Sequence, residues 1–353
     1  MPWEARFYRK MYAMPTRRTL LHRAAADLER RLDRRAAGRP VSKTVVLSPY
    51  RGFGRAGEML VRGRVLVDKR ITRASAAEPL WRNLLNTYRR FSSEEVAGAR
   101  VVASYGESVV ESVTDEEGYF TIRLQPGVVE TGWHDVTLSL PAFGVSATAH
   151  VIVPAPDVPF GVISDIDDTI VRTNATSLLG MTRSVINNAA ARLPFEGIAD
   201  LYRALNVKRN PIFYVSSSPW NLYELLHDFM GINGIPHGPM FLQDWGISDT
   251  TLILASHTEH KLAQIQTLVD YYPEMKFVLI GDSGQHDPEI YLQVIRTHPG
   301  RVLAAFIRDV TPDLRDRAVA AIIEDVQSAG VEMVYVRDSA DALQHARRLG
   351  LIS

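Results

Sequence analysis

From residue 160 onward, short apolar runs alternate with segments of helical periodicity, and this alternation is the strongest constraint on the fold. The apolar runs are FGVIS, PIFYV, PMFLQ, KFVLIG, RVLAAFI and EMVYV, and an amphipathic segment follows each one. Repeated strand and helix units of this length are typical of a parallel sheet that is covered by helices on both faces. We therefore predict a doubly wound α/β unit over residues 154–353, with its functional residues at the carboxyl ends of the strands.

Residues 44–153 have a different pattern. Short β-branched runs are separated there by Gly, Pro, Asp and Glu: TVVLSP, EMLVRGRVLV, ARVVASY, SVVESVTD, GYFTIRL, DVTLSL and ATAHVIV. This pattern predicts an antiparallel β-sandwich domain of immunoglobulin-like or transthyretin-like type over residues 44–153. The segment VPAPDVP that follows contains three prolines in seven residues and is typical of a stiff linker between domains.

Residues 1–43 form a basic N-terminal segment. Its first 40 residues contain eleven Lys or Arg and only four acidic residues, and TLLHRAAADLERRLDRR places leucines at helical spacing. The spacing predicts one short amphipathic helix. Two interpretations of the charge stay open: a solvated helix face, or attraction of the segment to an anionic membrane surface.

The composition excludes several classes of protein. Cysteine is absent, which excludes a disulfide framework, a thiolate zinc site and a cysteine nucleophile. No apolar run approaches the ~18 residues that a membrane-spanning helix needs, and the N-terminus lacks the apolar core of a signal peptide. We expect a cytoplasmic protein that is at most peripheral to a membrane.

The first strand of the α/β unit ends in a cluster of carboxylates. Asp165, Asp167 and Asp168 follow GVIS within four positions, where like charges repel and each resists losing its water. An aspartate at a strand end can attack phosphorus, and a second carboxyl two positions on can protonate the leaving oxygen. Carboxylates are hard ligands that suit Mg²⁺, which would also offset their repulsion of a phosphate. The cluster therefore predicts a site for a cation and a phosphate.

The second strand ends in hydroxyl groups. Ser216 follows PIFYV, so its hydroxyl is expected to donate to a phosphate oxygen. Ser218 and Pro219 match an N-cap and a first helical position, which would place free backbone N–H groups at the same place.

Two further segments complete an ordered set of polar groups. Lys261 is expected at the beginning of a helix, where its ammonium would face the phosphoryl oxygens and the nucleophile. Asp282 ends the strand FVLIG, and Asp287 follows five residues later. Acid, hydroxyl, lysine and acid thus occur in order, each at the end of a strand or the start of a helix.

This ordered set resembles the haloacid-dehalogenase superfamily. The blocks SDIDDTIVRT, YVSSSPWNLY, GPMFLQDWG and LIGDSGQHDPEIY are similar to those of the phosphatidate phosphatases related to the yeast actin-patch enzyme, over about residues 155–310. The resemblance implies a Rossmann-like, HAD-like fold for residues 154–353. It also implies Mg²⁺ as cofactor and the hydrolysis of phosphatidate to diacylglycerol and phosphate.

The resemblance further implies a role for each matching residue. Asp165 would be the nucleophile, Asp167 the general acid and base, and Ser216 and Lys261 ligands of the phosphate. The implied catalytic residues are Asp165, Asp167, Thr169, Ser216 and Lys261, with Ser216, Ser217 and Lys261 binding substrate. The implied metal ligands are Asp165, Asp167 through its backbone carbonyl, Asp282 and Asp287.

The substrate is less constrained than the reaction. The spacing of the motifs leaves room for a small flap within residues 174–194 but not for a large inserted cap, and an open site suits a bulky or lipid substrate. Trp220 and Trp245 are expected near the rim, either in contact with a lipid surface or packed in a domain interface. Two alternatives stay open: a phosphatase for soluble phosphate esters or phosphoproteins, and a noncatalytic lipid-binding or scaffold protein. We expect no nucleic-acid partner.

Overall fold

The computed structural model describes residues 44–68, 95–172, 194–207, 209–243, 253–310 and 315–353. The predicted helical segment within residues 1–43, the flap within 174–194 and Trp245 lie outside these ranges. The described residues form a mixed α/β protein with one largely antiparallel and one parallel sheet, which confirms the predicted fold class at that level.

The first sheet contains eight strands in residues 44–153. They are Thr44–Pro49 (β1), Gly52–Arg55 (β2), Glu58–Asp68 (β3), Arg100–Tyr105 (β4), Ser108–Val113 (β5), Tyr119–Leu124 (β6), Gly132–Leu140 (β7) and Val145–Val153 (β8). The order is β1-β3-β2-β8-β7-β4-β5, and β6 also pairs with β3. All pairs are antiparallel except β2 with β8. The strands therefore form one hydrogen-bonded network around a common core, and the immunoglobulin-like or transthyretin-like sandwich type stays a prediction.

Strand β2 was not predicted from the sequence. Its two glycines explain why it lies so close to β3 and why the sequence carries no strand signal there. A Cβ at Gly52 would lie 2.2 Å from the carbonyl oxygen of Leu60, and one at Gly54 would lie 2.4 Å from that of Glu58. Only glycine allows this close approach of β2 to β3. Glycine is also depleted in strands, so the segment GFGR carries no strand signal in the sequence.

The second sheet contains six parallel strands. They are Gly161–Ser164 (β9), Ile212–Pro219 (β10), Met240–Gln243 (β11), Phe277–Asp282 (β12), Val302–Arg308 (β13) and Glu332–Val336 (β14), in the order β11-β10-β9-β12-β13-β14. Strand β9 lies between β10 and β12, so the strand order reverses there. Such a reversal opens a crevice at the carboxyl ends of the strands, where ligands of α/β proteins bind.

Helices cover both faces of this sheet. They are Ile198–Asn206 (α1), Tyr223–Ile232 (α2), Ile253–Tyr271 (α3), Asp287–Thr297 (α4), Asp316–Ser328 (α5) and Ser339–Arg348 (α6). One hydrophobic core contains residues of α1, α2 and α6, and the other contains residues of α3, α4 and α5. In the part of the chain that the structure describes, no helix combines the length and the apolar character needed to cross a bilayer.

The two sheets share these cores. Tyr50 and Tyr119 of the first sheet region belong to the core beneath α1, α2 and α6, and Phe53 belongs to the core on the opposite side. The Phe53 ring lies 5.2 Å from the rings of both Phe241 and Tyr271. The β-rich unit therefore packs directly against the α/β unit through buried aromatic side chains.

Candidate active site

Asp165 lies at the carboxyl end of the central strand β9. Its backbone N–H donates to the carbonyl of Ile280 on β12, and its side chain is only 1% exposed. Oδ1 accepts a hydrogen bond from Nζ of Lys261 at 2.8 Å. Oδ2 is buried and has no hydrogen-bond partner among the described residues. One carboxylate oxygen is thus held, and the other is left to react or to bind a ligand.

Lys261, Asp282 and Asp287 surround the same point. Nζ of Lys261 also forms an ion pair with Oδ1 of Asp287, whose Oδ2 accepts the backbone N–H of Asp282 at 3.0 Å. Asp282 Oδ1 accepts the backbone N–H groups of Gly284 and Gln285 at 2.7 and 2.8 Å. Carboxylate oxygens of Asp165, Asp282 and Asp287 all lie within 4.8 Å of one another. Three buried acids therefore face a single ammonium.

The position of Asp287 requires glycine at residue 281. A Cβ at position 281 would lie 2.2 Å from Oδ2 of Asp287 and 2.7 Å from its Cγ. Any larger residue would therefore push Asp287 away from Lys261. The close approach of the Asp287 side chain explains why the first residue of the motif GDSGQHD is glycine.

Burial dominates the electrostatics of the cluster. It raises the pKa of Asp165 well above its ordinary value, and Lys261 offsets only part of that effect. Burial, with a contribution from Asp287, raises the pKa of Asp282 to about 8. Although burial alone disfavours the ammonium, the carboxylates of Asp165 and Asp287 raise the pKa of Lys261. Buried carboxylates stay ionised only when opposite charges pair with them. One ammonium is too little for three carboxylates, so the cluster needs further positive charge.

The donor set fits a hard divalent cation. Asp282 Oδ2, like Asp165 Oδ2, is buried without a hydrogen-bond partner in the described ranges, and both belong to the three-carboxylate cluster. Carboxylate oxygens are the ligands that Mg²⁺ prefers. Both oxygens of Asp287 are already engaged, by Lys261 and by the Asp282 amide.

The carboxylate of Asp167 faces the serines rather than the three-carboxylate cluster. Its Oδ2 accepts the hydroxyls of Ser216 at 2.8 Å and Ser218 at 2.7 Å. Its Oδ1 is buried and lacks a hydrogen-bond partner within the described part of the chain. The Asp167 backbone carbonyl accepts Nε2 of Gln285 at 3.1 Å. Through this carbonyl, Asp167 contacts the loop that carries Asp282.

The predicted N-cap role of Ser218 is wrong. Strand β10 continues to Pro219, a 3₁₀ turn covers Trp220–Leu222, and α2 begins only at Tyr223. Ser218 instead places its hydroxyl beside that of Ser216, because residues two apart on a strand share a face. The sequence carried this signal in SSSP, but a serine before a proline also matches a helix start.

Lys261 lies within its helix and not at the predicted beginning. Helix α3 starts at Ile253, so two turns precede Lys261. The ammonium is therefore directed by the body of a long helix that packs beside β10, and its position does not depend on a helix terminus.

A tight turn returns the chain after Asp167. Asp168 has a φ of 55°, and its N–H donates to the carbonyl of Val171 at 2.8 Å. Thr169 within the turn is 1% exposed, and its hydroxyl has no partner among the residues the structure describes. Ser217 is half-buried between Ser216 and Ser218. The turn thus brings the predicted residues of both segments to one edge of the sheet.

Gln285 and Arg315 were not identified from the sequence. Gln285 binds both Asp282, through its backbone, and Asp167, through its side chain. Arg315 donates to the carbonyls of Ser283 and Gln285 and pairs with Glu289. Together they hold the loop after β12 in place. No local motif marks Arg315, because its contacts depend on how α5 packs.

Trp220 lies in the interface between the two units. Its side chain is 5% exposed, and its ring stacks on Tyr50 with 5.1 Å between centroids and an interplanar angle of 8°. The guanidinium of Arg62 lies 4.2 Å from the ring centroid of Trp220. Tyr223 accepts the backbone N–H of Arg51 at 2.6 Å. Of the two interpretations of Trp220, the domain interface is confirmed and the lipid surface is wrong.

Comparison with known proteins identifies a relative of the α/β unit. Residues 160–309 match the family described as "Phosphatidate phosphatase APP1, catalytic domain". The match covers the carboxyl ends of β9, β10 and β12 and the helix that carries Lys261. It confirms the resemblance that the motifs indicated for this part of the chain.

Two curated relatives extend this similarity. Phosphatidate phosphatase APP1 of Saccharomyces cerevisiae is 32% identical over 208 residues, which are 58% of this chain and 35% of that protein. An uncharacterized protein of Schizosaccharomyces pombe is 31% identical over 157 residues, 43% of this chain and 25% of that protein. The chain thus spans about a third of the first relative and a quarter of the second.

A solved structure is also similar. It is a HAD family hydrolase from Deinococcus radiodurans with bound phosphate and sodium, which aligns with a TM-score of 0.36 at 13% identity. The alignment covers 56% of this chain and 99% of that one.

Proposed function

Since residues 160–309 are similar to the catalytic domain of phosphatidate phosphatase APP1, we propose that this protein is a Mg²⁺-dependent phosphomonoesterase that hydrolyses phosphatidate to diacylglycerol and phosphate through an aspartyl-phosphate intermediate. The observation that carries the proposal is the Asp165 carboxylate. One of its oxygens is fixed by Lys261, and the other is buried without a hydrogen-bond partner in the described residues.

Asp165 is the proposed nucleophile. Its Oδ2 attacks phosphorus and forms an acyl phosphate, while the bond from phosphorus to the ester oxygen breaks. Lys261 holds Oδ1, so the attacking oxygen keeps a fixed direction, and the ammonium balances negative charge on the phosphoryl group. Asp287 holds Lys261 on its other side.

Asp167 is the proposed general acid and base. The hydroxyls of Ser216 and Ser218 both bind Oδ2, which leaves Oδ1 to carry the transferred proton. In the first step this carboxyl gives its proton to the leaving ester oxygen. In the second step it takes a proton from the water that attacks the acyl phosphate, which releases phosphate and restores Asp165.

Asp165 through Oδ1, Asp282 through Oδ2 and the Asp167 carbonyl are the proposed ligands of Mg²⁺, which leaves Oδ2 of Asp165 for the attack on phosphorus. When bound there, Mg²⁺ would neutralise the acidic cluster and polarise the phosphoryl oxygens. Asp287 belongs to the same cluster, but both its oxygens are engaged, so we assign it the orientation of Lys261 and of the Asp282 loop. Ser217 and Thr169 are the proposed hydroxyl contacts of the phosphoryl oxygens, and the hydroxyl of Ser216, which donates to Asp167 in the free protein, would turn to a phosphoryl oxygen when substrate binds.

A substrate panel on the purified full chain tests this proposal. Phosphatidate in detergent micelles, sugar phosphates and nucleotide monophosphates are compared, each with Mg²⁺ and with excess EDTA. We expect phosphatidate to have the highest kcat/KM and EDTA to abolish turnover. Preference for a soluble ester would reject the lipid substrate, and turnover that persists in EDTA would reject the cation.

Asp165→Asn tests the nucleophile, because it keeps the shape of the side chain and removes its charge. We expect a loss of about 10³-fold or more in kcat and no acyl phosphate after an acid quench. The exposed Asp200→Asn serves as the matched control. If Asp165→Asn retained the activity of that control, Asp165 would not be the nucleophile; if neither the unchanged protein nor the control turned over any substrate of the panel, the noncatalytic alternative would be favoured.

A further inference from the structure

A second cavity lies between the two units, away from the proposed active site. Its volume is about 790 Å³, and it is lined by Arg51 and Trp133 from the first unit and by Arg209, Asn210 and His237 from the α/β unit. The lining includes the residues just before and at the start of β10, whereas Ser216 lies near the other end of that strand. The cavity and the acidic cluster therefore lie at opposite edges of the sheet. Its volume is typical of a small-molecule site.

Arg51 brings positive charge to this cavity. Its guanidinium lies 5.0 Å from the centroid of the Trp133 ring, and its Nε donates to Nε2 of His227 at 3.3 Å. Within the described ranges no carboxylate pairs with Arg51. Burial lowers the pKa of Arg51. The indole and the imidazole thus hold the arginine in place without cancelling its charge.

Arg209 adds a second guanidinium. It follows α1 with a φ of 59°, in the left-handed region that glycine or asparagine adopts more readily. It is exposed, and no carboxylate among the described residues forms an ion pair with it. Arg209 therefore lies at the rim of the cavity in a backbone conformation that arginine rarely adopts.

Two polar side-chain atoms in the lining lack hydrogen-bond partners among the described residues. Asn210 is 2% exposed, and its Nδ2 donates to the carbonyl of Leu205, but its Oδ1 has no hydrogen-bond partner in the part of the chain described. Nδ1 of His237 is likewise buried without such a partner. Buried polar atoms of this kind are normally satisfied by a ligand or by water. Hydroxyl groups, which both donate and accept hydrogen bonds, would supply the missing partners.

We propose that this cavity binds an anionic polyol, a compound that carries a phosphate or carboxylate group together with hydroxyl groups. Arg51 and Arg209 bind the anion. Asn210 accepts a hydrogen bond from one hydroxyl, Nδ1 of His237 forms a hydrogen bond with another, and the indole of Trp133 packs against the C–H face of the polyol. Such a ligand has two sources: a free polyol phosphate or carboxylate, or the headgroup of a lipid. The site does not depend on the proposed phosphatase activity.

Calorimetric titration of the full chain in EDTA tests the site. The probes are glycerol 3-phosphate, gluconate and inorganic phosphate. A separate arm compares vesicles that contain phosphatidylglycerol, whose headgroup is a polyol, with vesicles that contain phosphatidylserine. A free ligand predicts that glycerol 3-phosphate or gluconate binds at least about tenfold more tightly than inorganic phosphate. A lipid headgroup predicts the same difference between the phosphatidylglycerol vesicles and the phosphatidylserine vesicles.

Variants separate this cavity from the active site. Arg51→Gln is expected to weaken binding about tenfold or more, whereas the exposed Arg296→Gln and the active-site variant Asp165→Asn are expected to leave it unchanged. Arg209→Gln lies on the surface and provides a second test if Arg51→Gln lowers the melting temperature. Three results would overturn the proposal: no binding of any probe, equal binding of inorganic phosphate, or equal loss in Arg51→Gln and Arg296→Gln.

Discussion

Nζ of Lys261 lies 2.8 Å from Oδ1 of Asp165, although 96 residues separate the two in the chain. Both side chains are buried, and the contact joins the central strand β9 to helix α3. Because the ammonium occupies one carboxylate oxygen, the other oxygen of Asp165 has a defined direction. The predictions below concern this pair and the groups that hold it.

Removal of the ammonium is expected to destabilise the protein strongly. Lys261→Met leaves Asp165 and Asp287 buried without their partner, which should lower the free energy of unfolding by about 3–5 kcal/mol in the absence of divalent cations. Urea denaturation of the purified variant measures this change. The exposed Lys276→Met is the matched control. A loss below about 0.5 kcal/mol in both variants would show that the ion pairs do not stabilise the fold.

The role of Asp167 is expected to depend on the leaving group. Asp167→Asn cannot donate the proton that an alkyl ester oxygen needs, whereas a nitrophenolate leaves without one. We expect a loss of about 10²–10⁴-fold in kcat for alkyl phosphates and a much smaller loss for p-nitrophenyl phosphate. Equal losses on both substrates would assign Asp167 a structural role alone.

The effect of Mg²⁺ on stability is expected to increase with pH. Folding raises the pKa of Asp282 from its ordinary value to about 8 and raises that of Asp165 as well. The metal-free protein thus binds more protons than the unfolded chain between pH ~4 and pH ~8, so its stability falls as the pH rises through this window. Mg²⁺ requires ionised ligands, so its binding is favoured as those protons leave.

Thermal melts at pH 6, 7, 8 and 9, with and without Mg²⁺, measure this linkage. The increment in Tm caused by Mg²⁺ should grow across the series and level off above pH 8. Asp282→Asn should make the increment smaller and less dependent on pH, with the remaining dependence due to Asp165. An increment that is constant for the unchanged protein would contradict the assignment of Asp282 as a ligand.

Gly281→Ala is expected to disrupt the cluster through a steric clash. The new Cβ would overlap Oδ2 of Asp287, at a cost of about 1–3 kcal/mol, and would displace the acid that holds Lys261. Equilibrium unfolding and kcat measure the two effects. Because Asp287→Ala removes two of the three overlapping atoms, Oδ2 and Cγ, and leaves only Cβ, the double variant should be less destabilised than the sum of the single variants. Strict additivity would mean that the clash is relieved in another way.

Tyr50→Ala tests the contact between the units. Loss of the ring from the Trp220 stack should lower stability by about 3 kcal/mol or more. It should also lower kcat, since Trp220 follows the strand end that carries Ser216 and Ser218. Tyr105→Ala, a half-buried tyrosine of β4, is the control. An unchanged kcat in Tyr50→Ala would show that the β-rich unit does not position the serines.

Periodicity was sufficient to predict the parallel sheet and the edge where Asp165, Ser216 and Asp282 meet. Those residues follow apolar strands, and the carboxyl ends of parallel strands lie at one edge by geometry. Strand β2 was missed because its glycines hide the strand signal while they make its close contacts feasible. Ser218 was predicted as a helix N-cap because a Ser-Pro pair looks the same in the sequence at the start of a helix and at the end of a strand.

Other parts of the site depend on tertiary packing. Helix α3 starts at Ile253, earlier than the start that was predicted next to Lys261. Arg315 reaches the Asp282 loop only after α5 has packed beside it, so no local pattern could identify that contact. The same holds for Arg62 and Trp220, which meet across two units that are far apart in the sequence.

The shared cores have a practical consequence for how this chain can be divided. Tyr50 and Phe53 cover aromatic surface on both sides of the parallel sheet, so a fragment that started at residue 160 would expose that surface to water. Residue 160 marks where the family match begins, and it is not a boundary between independent units. A fragment that keeps both cores covered must include the β-rich unit and therefore start at or before Thr44.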